Sequence, residues 1–331
     1  SLSLKFTMPV YLYFFLRLFV RDRRDLDGLI TTFMYSLLFV LIVFAYEVSF
    51  GPIRVTESRG LTRIQGNFGD VFNYGLYLCF GILFEAYSHL REGRAASLRS
   101  WVRSALFLAI GVFMLVKINH AASLVVFTTI LFLYIYYVSR RSLLAVIAYV
   151  TVGIIVFQVM GDTLLEESVN PLFEKDMQAL TGEINEEQLF HGRFGRWEFY
   201  WDYFTHQPLP AQAVGLPLFN LDDPLFITTG FGVHNDYLRV LMLTGFLGLY
   251  LYLAFHWKVY RRLRKLPVQD RFLGMSAMAL ILLYSVTLTP TLYAPLLYML
   301  YAIFAYTALP PGGGSEAMRQ TNNPGNGPAG T

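Results

Sequence analysis

The feature that most constrains this chain is a recurring apolar run of about twenty residues, closed each time by a short charged or polar loop. At about 1.5 Å of rise per residue, a run of that length crosses the roughly 30 Å hydrocarbon core of a bilayer as a helix. Such runs cover 6–20, 28–50, 70–90, 101–118, 121–139, 142–160, 234–257, 272–288 and 291–309. In lipid every backbone polar group must be paired within the protein, so a chain built this way has to be helical. The expected fold class is therefore an all-α membrane protein, a polytopic bundle of about nine transmembrane helices. Its domain is 1–309, with one long loop, 161–233, that holds short helices between the sixth and seventh spans. The tail 310–331 is rich in Gly, Pro and Asn and reads as disordered.

The loops also give an orientation. Those at 21–27, 91–103, 140–141 and 258–271 hold most of the lysines and arginines, which marks them as cytoplasmic. The loops at 51–69, 119–120, 161–233 and 289–290 then face the other side. The long loop agrees, with twelve Asp/Glu against three Lys/Arg. Only 15% of the 331 residues are charged and 55% are apolar, against about 25% charged in soluble domains. The net charge of +3 comes largely from the short basic loops, so no nucleic-acid partner is needed to explain it. The single cysteine, Cys79, lies in an apolar run and reads as a small buried hydrophobe. There is no nucleotide-binding glycine motif and no cluster of metal-ligand spacing, so neither cofactor nor metal is expected. The chain starts at Ser1 without a signal-peptide pattern and reads as a piece of a longer protein with earlier spans.

Polar residues that could carry chemistry gather in the loops assigned to the outer side. Arg193 and Arg196 sit in an acidic segment beside Trp197, Tyr200, Trp201 and Tyr203. The W-x-x-x-W spacing places Trp197 and Trp201 on one face of a helix, whereas Gly192 and Gly195 read as a two-glycine turn. One reading is an interfacial amphipathic helix with its arginines on lipid phosphates or on Glu198 and Asp202. The other is a binding site, because guanidinium forks grip phosphates and aromatic faces stack on sugars. His234 and Asn235 open the seventh apolar helix, with Arg239 one turn on. Polar groups at a membrane rim are costly unless they meet partners or a cavity. Arg54, Arg59 and Arg63 lie on the side that normally avoids positive charge, either to bind an anion or to pair with acids of the long loop. Asn119 and His120 top a hairpin and read as turn capping, and Asp70 and Glu85 as hydrogen-bonding groups within the bundle.

Taken together, Gly192, Arg193 and Trp197, then Pro208, Leu209 and Gly215, then His234, Asn235 and Leu238, then Thr244, Gly245 and Gly248 form an ordered series. With Arg63 and Gly66 upstream, the series resembles the O-antigen ligase / Wzy-type polymerase family over roughly 55–260. The resemblance implies a bacterial inner-membrane glycosyltransferase, multi-pass, whose active face is periplasmic. Its donor would be an undecaprenyl-pyrophosphate-linked oligosaccharide, and it would use no metal or cofactor. Carried over by position, Arg193 and Arg63 would hold the pyrophosphate and His234 would accept the acceptor's proton. Arg196, Asn235, Arg239, Trp197 and Arg59 would add substrate contacts. The chain departs from the family at 119–122, where many relatives have a Ser-Arg pair and this chain has Asn119-His120-Ala121-Ala122. That role would pass to His120, Lys117 or a loop arginine.

The leading expectation is a polymerase that moves a glycan to another lipid-linked repeat unit. The alternative is a ligase acting on lipid A core, and less favoured is a polysaccharide or lipid transporter. Membrane lipid, chain-length regulators and other polysaccharide-assembly proteins are the partners such an enzyme would meet.

Overall fold

A computed structural model describes residues 13–19, 23–58, 61–68, 70–92, 97–118, 120–139, 181–183, 189–216, 233–288 and 294–309, with scattered positions elsewhere. Most of the sixth apolar run (142–160) and of 161–188, the stretch 217–232, Arg59 and the tail 310–331 lie outside the described residues.

The chain is predominantly helical. Its helices are α1 (Arg23–Phe50), α2 (Val71–Glu92), α3 (Leu98–Ile118), α4 (Ala121–Ser139), α5 (Leu189–Thr205), α6 (Leu209–Val214), α7 (Asp236–Leu263), α8 (Val268–Thr287) and α9 (Ala294–Thr307). Among the described residues, five of them (α1, α3, α4, α7 and α8) are long and apolar enough to cross a membrane. A multi-pass membrane protein is thus what the structure supports. The 51–69 loop holds a short antiparallel hairpin, β1 (Val55–Ser58) and β2 (Leu61–Ile64), in which Thr56 faces Arg63. A single 3-10 turn, Gly66–Phe68, follows it.

Helix α2 is the axis of the bundle. It has 22 residues, about 33 Å of helix, and packs against α1, α3, α4 and α8. Because its neighbours shield it from lipid, α2 can carry polar groups provided that each is matched. His89 is hydrogen-bonded to Tyr134 at 2.6 Å, Tyr87 donates to Asp270 at 3.3 Å, and Glu85 takes Arg103 Nε at 2.9 Å. Cys79 is buried and donates to the Ser123 carbonyl at 3.6 Å. Asp70 caps the helix by accepting from Phe72 N–H at 3.0 Å.

These contacts also sort the two ends of the bundle. At one end, Asp27 pairs with Arg91, Arg103 with Glu85 and Glu92, and Arg262 donates to the last carbonyls of α9 and just beyond it. Arg99, Lys258, Arg261 and Arg271 belong to the same end through their helices, and Arg264 and Lys265 through the turn between α7 and α8. The hairpin, His120 and the start of α7 belong to the opposite end. The antiparallel order of neighbouring helices thus collects the described basic loops on one side.

Candidate functional site

Helix α5 is where the sequence reading and the structure first diverge. Gly192 and Gly195 lie inside the helix and make no turn. Two helical glycines cost about 1 kcal/mol each relative to alanine. A stripe at 197, 200 and 204 offsets that, because Tyr200 and Phe204 are buried and Trp197 and Tyr203 pack beside them. Their partners are Ala211, Leu216, Val233, Leu238, Leu241 and Met242, so α5 and α6 form a second small core with the first turns of α7. Arg193 is one turn before Trp197 on this stripe and is half-buried, while Arg196 is exposed. Trp201 follows Trp197 by one helical turn, as its spacing predicts, but is 50% exposed at the edge of the buried stripe.

The turn from α5 into α6 is closed by Gln212, whose amide donates to Thr205 O at 2.8 Å and Gln207 O at 2.7 Å. Helix α6 starts after Pro208 and ends at Gly215 (φ 103, ψ 153). There its backbone meets a kink in α7 at Gly245 (φ 66, ψ −171). The approach is backbone to backbone. A Cβ on Gly215 would lie 2.3 Å from the Leu243 carbonyl oxygen, and one on Gly245 would lie 2.4 Å from that of Ala213. Both positions take dihedrals that are essentially open to glycine alone. Thr244 donates back to Val240 O at 2.7 Å, next to the break. Pro208, Gly215, Thr244 and Gly245 are therefore explained as the parts that seat α6 on α7.

That seating fixes His234. Trp197 Nε1 donates to the Val233 carbonyl at 2.8 Å, pinning α5 to the residue just before the histidine. His234 itself is not helical. It has φ +46, the one non-glycine in the left-handed region among the described residues, a conformation of modest cost that few residues adopt. Asn235 is extended (φ −152) and caps α7 by accepting from Leu238 N–H at 3.0 Å. The expectation that His234 and Asn235 open the helix is thereby corrected: helical periodicity does not aim either side chain, and a turn and a cap do. The half-buried His234 ring comes within electrostatic reach of Arg193 and Arg196. Burial first, then Arg193, then Arg196, holds its pKa below the ordinary imidazole value.

Arg239 lies deeper than expected of a substrate contact, at 1% exposure. It is coupled to Asp236, which is fully buried and also within electrostatic reach of Tyr237, Tyr252 and Tyr301. Tyr237 in turn donates to Leu282 O at 2.9 Å. Asp236 was not singled out from sequence, although an acid at a first helical position three residues before an arginine is a readable pair.

Other expected contacts fall elsewhere. Arg63 is placed by its strand register opposite Thr56, and Arg54 is exposed just before the hairpin. His120 is built into the bundle, with Nδ1 2.7 Å from Ser123 Oγ, which is 2.8 Å from the Tyr284 hydroxyl. Arg59 lies outside the described residues. Among the described residues no three His, Cys, Asp or Glu side chains are grouped to hold a metal ion. No protein-family model matches the chain, and no curated protein matches it in sequence.

Proposed function

We propose that this multi-pass membrane protein is a glycosyltransferase. In this reading it transfers a glycan from undecaprenyl pyrophosphate to a second lipid-linked repeat unit, on the periplasmic face of a bacterial inner membrane. What supports the reading is that two arginines on α5 lie within electrostatic reach of His234, on a helix tied to the preceding residue by the bond from Trp197 to Val233. The periplasmic face is the bundle end opposite the basic loops, as the positive-inside rule requires.

The chemistry suits these groups. The bond between the anomeric carbon and a pyrophosphate oxygen breaks, and a bond to the acceptor oxygen forms. The acceptor's hydroxyl proton passes to the His234 ring, and the carrier leaves as polyprenyl pyrophosphate. Negative charge grows on the departing oxygen, where Arg193 and Arg196 stabilise the transition state more than the ground state. A base must be neutral to accept a proton, and a lowered pKa keeps His234 neutral at pH 7. Trp197, with its indole N–H engaged, is held as a fixed ring beside the arginines.

Because the His234 pKa is lowered, the acid limb of kcat/KM is expected below the ordinary histidine value of about 6.5. Arg193→Gln removes one of the charges that disfavour the imidazolium, so the limb should move up toward that value. It should stop short of it, because burial is the larger cause. A limb that stays put in Arg193→Gln would separate the arginine from the base.

The reaction itself is tested with purified protein in liposomes and an undecaprenyl-pyrophosphate-linked repeat unit. Products of two or more repeats on the carrier support a polymerase. Transfer only when lipid A core is supplied identifies a ligase instead. Consumption of neither, or movement of intact donor across the bilayer, overturns the glycosyltransferase reading.

A further inference from the structure

Two tyrosine rings fix the course of α7. Tyr237 and Tyr252 are fifteen residues apart, about 22 Å along a straight helix at 1.5 Å per residue. Their rings nevertheless meet edge to face, with centroids 6.3 Å apart. Helix α7 therefore turns back on itself at the Gly245 break, as two arms joined at a crest. The first arm, 236–244, is about 13 Å long and the second, 246–263, about 27 Å. The second arm alone approaches the roughly 30 Å of a hydrocarbon core.

The turn lowers His234. Tyr252 lies seven residues past Gly245, so the foot of the first arm sits about 10 Å below the crest. A hydrogen bond places the foot against the bundle independently, since the Tyr237 hydroxyl donates to Leu282 O of α8 at 2.9 Å. Asp236, fully buried next to it, is within electrostatic reach of Tyr252 and of Tyr301 on α9. His234 stands two residues before the arm begins.

The two sides of the first arm are held differently. Leu238, Leu241 and Met242 are buried in the small core shared with α5 and α6. Arg193, Arg196 and His234 thus ride on one outer unit, with the bond from Trp197 to Val233 inside it. Towards the bundle, the foot offers a ring and a hydroxyl, both from Tyr237. A hydrogen bond is directional, so it fixes a height where an apolar face alone would allow sliding.

Height matters for a substrate anchored in lipid. Its reacting bond stands at a level set by the bilayer, and the apolar helices set the level of the bundle. The outer unit must match that level, because a misplacement of about 1 Å can cost about a hundredfold in rate.

We infer that Tyr237 is a positioning residue for the proposed transfer: its hydroxyl on Leu282 O and its ring against Tyr252 hold His234 at the height of the membrane-anchored substrate. The inference rests on the glycosyl-transfer reading for the substrate. Tyr237 acts through the His234 turn and touches neither donor nor acceptor.

The test uses the full chain and two variants. Tyr237→Phe keeps the ring and loses the bond, whereas Tyr237→Leu loses both. With the lipid-linked repeat unit in liposomes, kcat should fall about fivefold for Phe and about thirtyfold for Leu, with KM unchanged. With the same repeat unit on a short, soluble prenyl pyrophosphate in detergent, no bilayer sets a height and the losses should largely disappear. A second readout needs no turnover. Acylation of His234 by diethyl pyrocarbonate, read by mass spectrometry, should be several times faster in Tyr237→Leu than in wild type. The exposed His206 should react alike in both. Unchanged kcat of Tyr237→Leu in liposomes, equal losses with the two donors, or unchanged acylation of His234 overturns the inference. Faster acylation in a protein whose wild type turns over neither donor overturns the enzyme reading and leaves Tyr237 as the anchor of the turn.

Discussion

His234→Asn is expected to lower kcat by about a thousandfold, within the range that a positioned general base contributes. Asparagine is the informative replacement. Its side chain tolerates the left-handed backbone that His234 adopts at φ +46, so the turn survives while the base is lost. Alanine there would mix a backbone penalty into the result. Unfolding of the Asn variant should match wild type, and substrate KM should change little because the histidine acts on the acceptor's proton. A kcat within about threefold of wild type would remove His234 from the chemistry.

The second large effect concerns stability. Gly245→Ala should destabilise the fold by roughly 4 kcal/mol, combining backbone strain of about 1–3 kcal/mol with overpacking of about 1–3 kcal/mol. The new methyl would sit 2.4 Å from Ala213 main-chain atoms, which cannot swing aside as a side chain can. Gly215→Ala should behave alike, since its methyl would meet the Leu243 carbonyl from the other side. Gly182 supplies the comparison. Its φ of +78 carries strain, yet open space surrounds it, so Gly182→Ala should cost only about 1 kcal/mol. Denaturant unfolding of the three variants in one detergent checks the order. Equal losses at 182, 215 and 245 would mean that the seating of α6 on α7 matters no more than a loop glycine.

The apolar runs made the helical membrane core legible in the sequence, because lipid allows few solutions for a twenty-residue apolar segment. The limits of the spans were less legible. Helix α7 extends from Asp236 to Leu263 with a break at Gly245, where the run alone indicated 234–257. That break depends on α6, a contact between distant segments that no local pattern reports. In sequence the hairpin at 55–64 reads as a plain polar loop, since four-residue strands leave little periodicity to detect. Gly192 and Gly195 differ from expectation for a related reason: local propensity favours a turn, whereas burial of Tyr200 and Phe204 decides for a helix. At the site, residue types single out Arg193, Arg196 and His234, but the bond from Trp197 to the Val233 carbonyl, which ties their two segments together, leaves no local pattern. Asn235 and Arg239 came to notice as polar residues at a membrane rim. One is a helix cap and the other a buried partner of Asp236, roles that position a site without touching its ligand.

Arg193 and His234 lie on separate segments, and in the proposed mechanism they serve one transition state. A double-mutant cycle on glycan turnover from undecaprenyl pyrophosphate measures that most directly. Arg193→Gln alone should cost about a hundredfold, as loss of one charge-stabilising donor typically does, and His234→Asn about a thousandfold. If bond breaking at the pyrophosphate and proton transfer to His234 occur together, the double variant should fall little below the worse single one. A double variant reduced by the product of the two losses, about 10⁵-fold, would contradict a shared site.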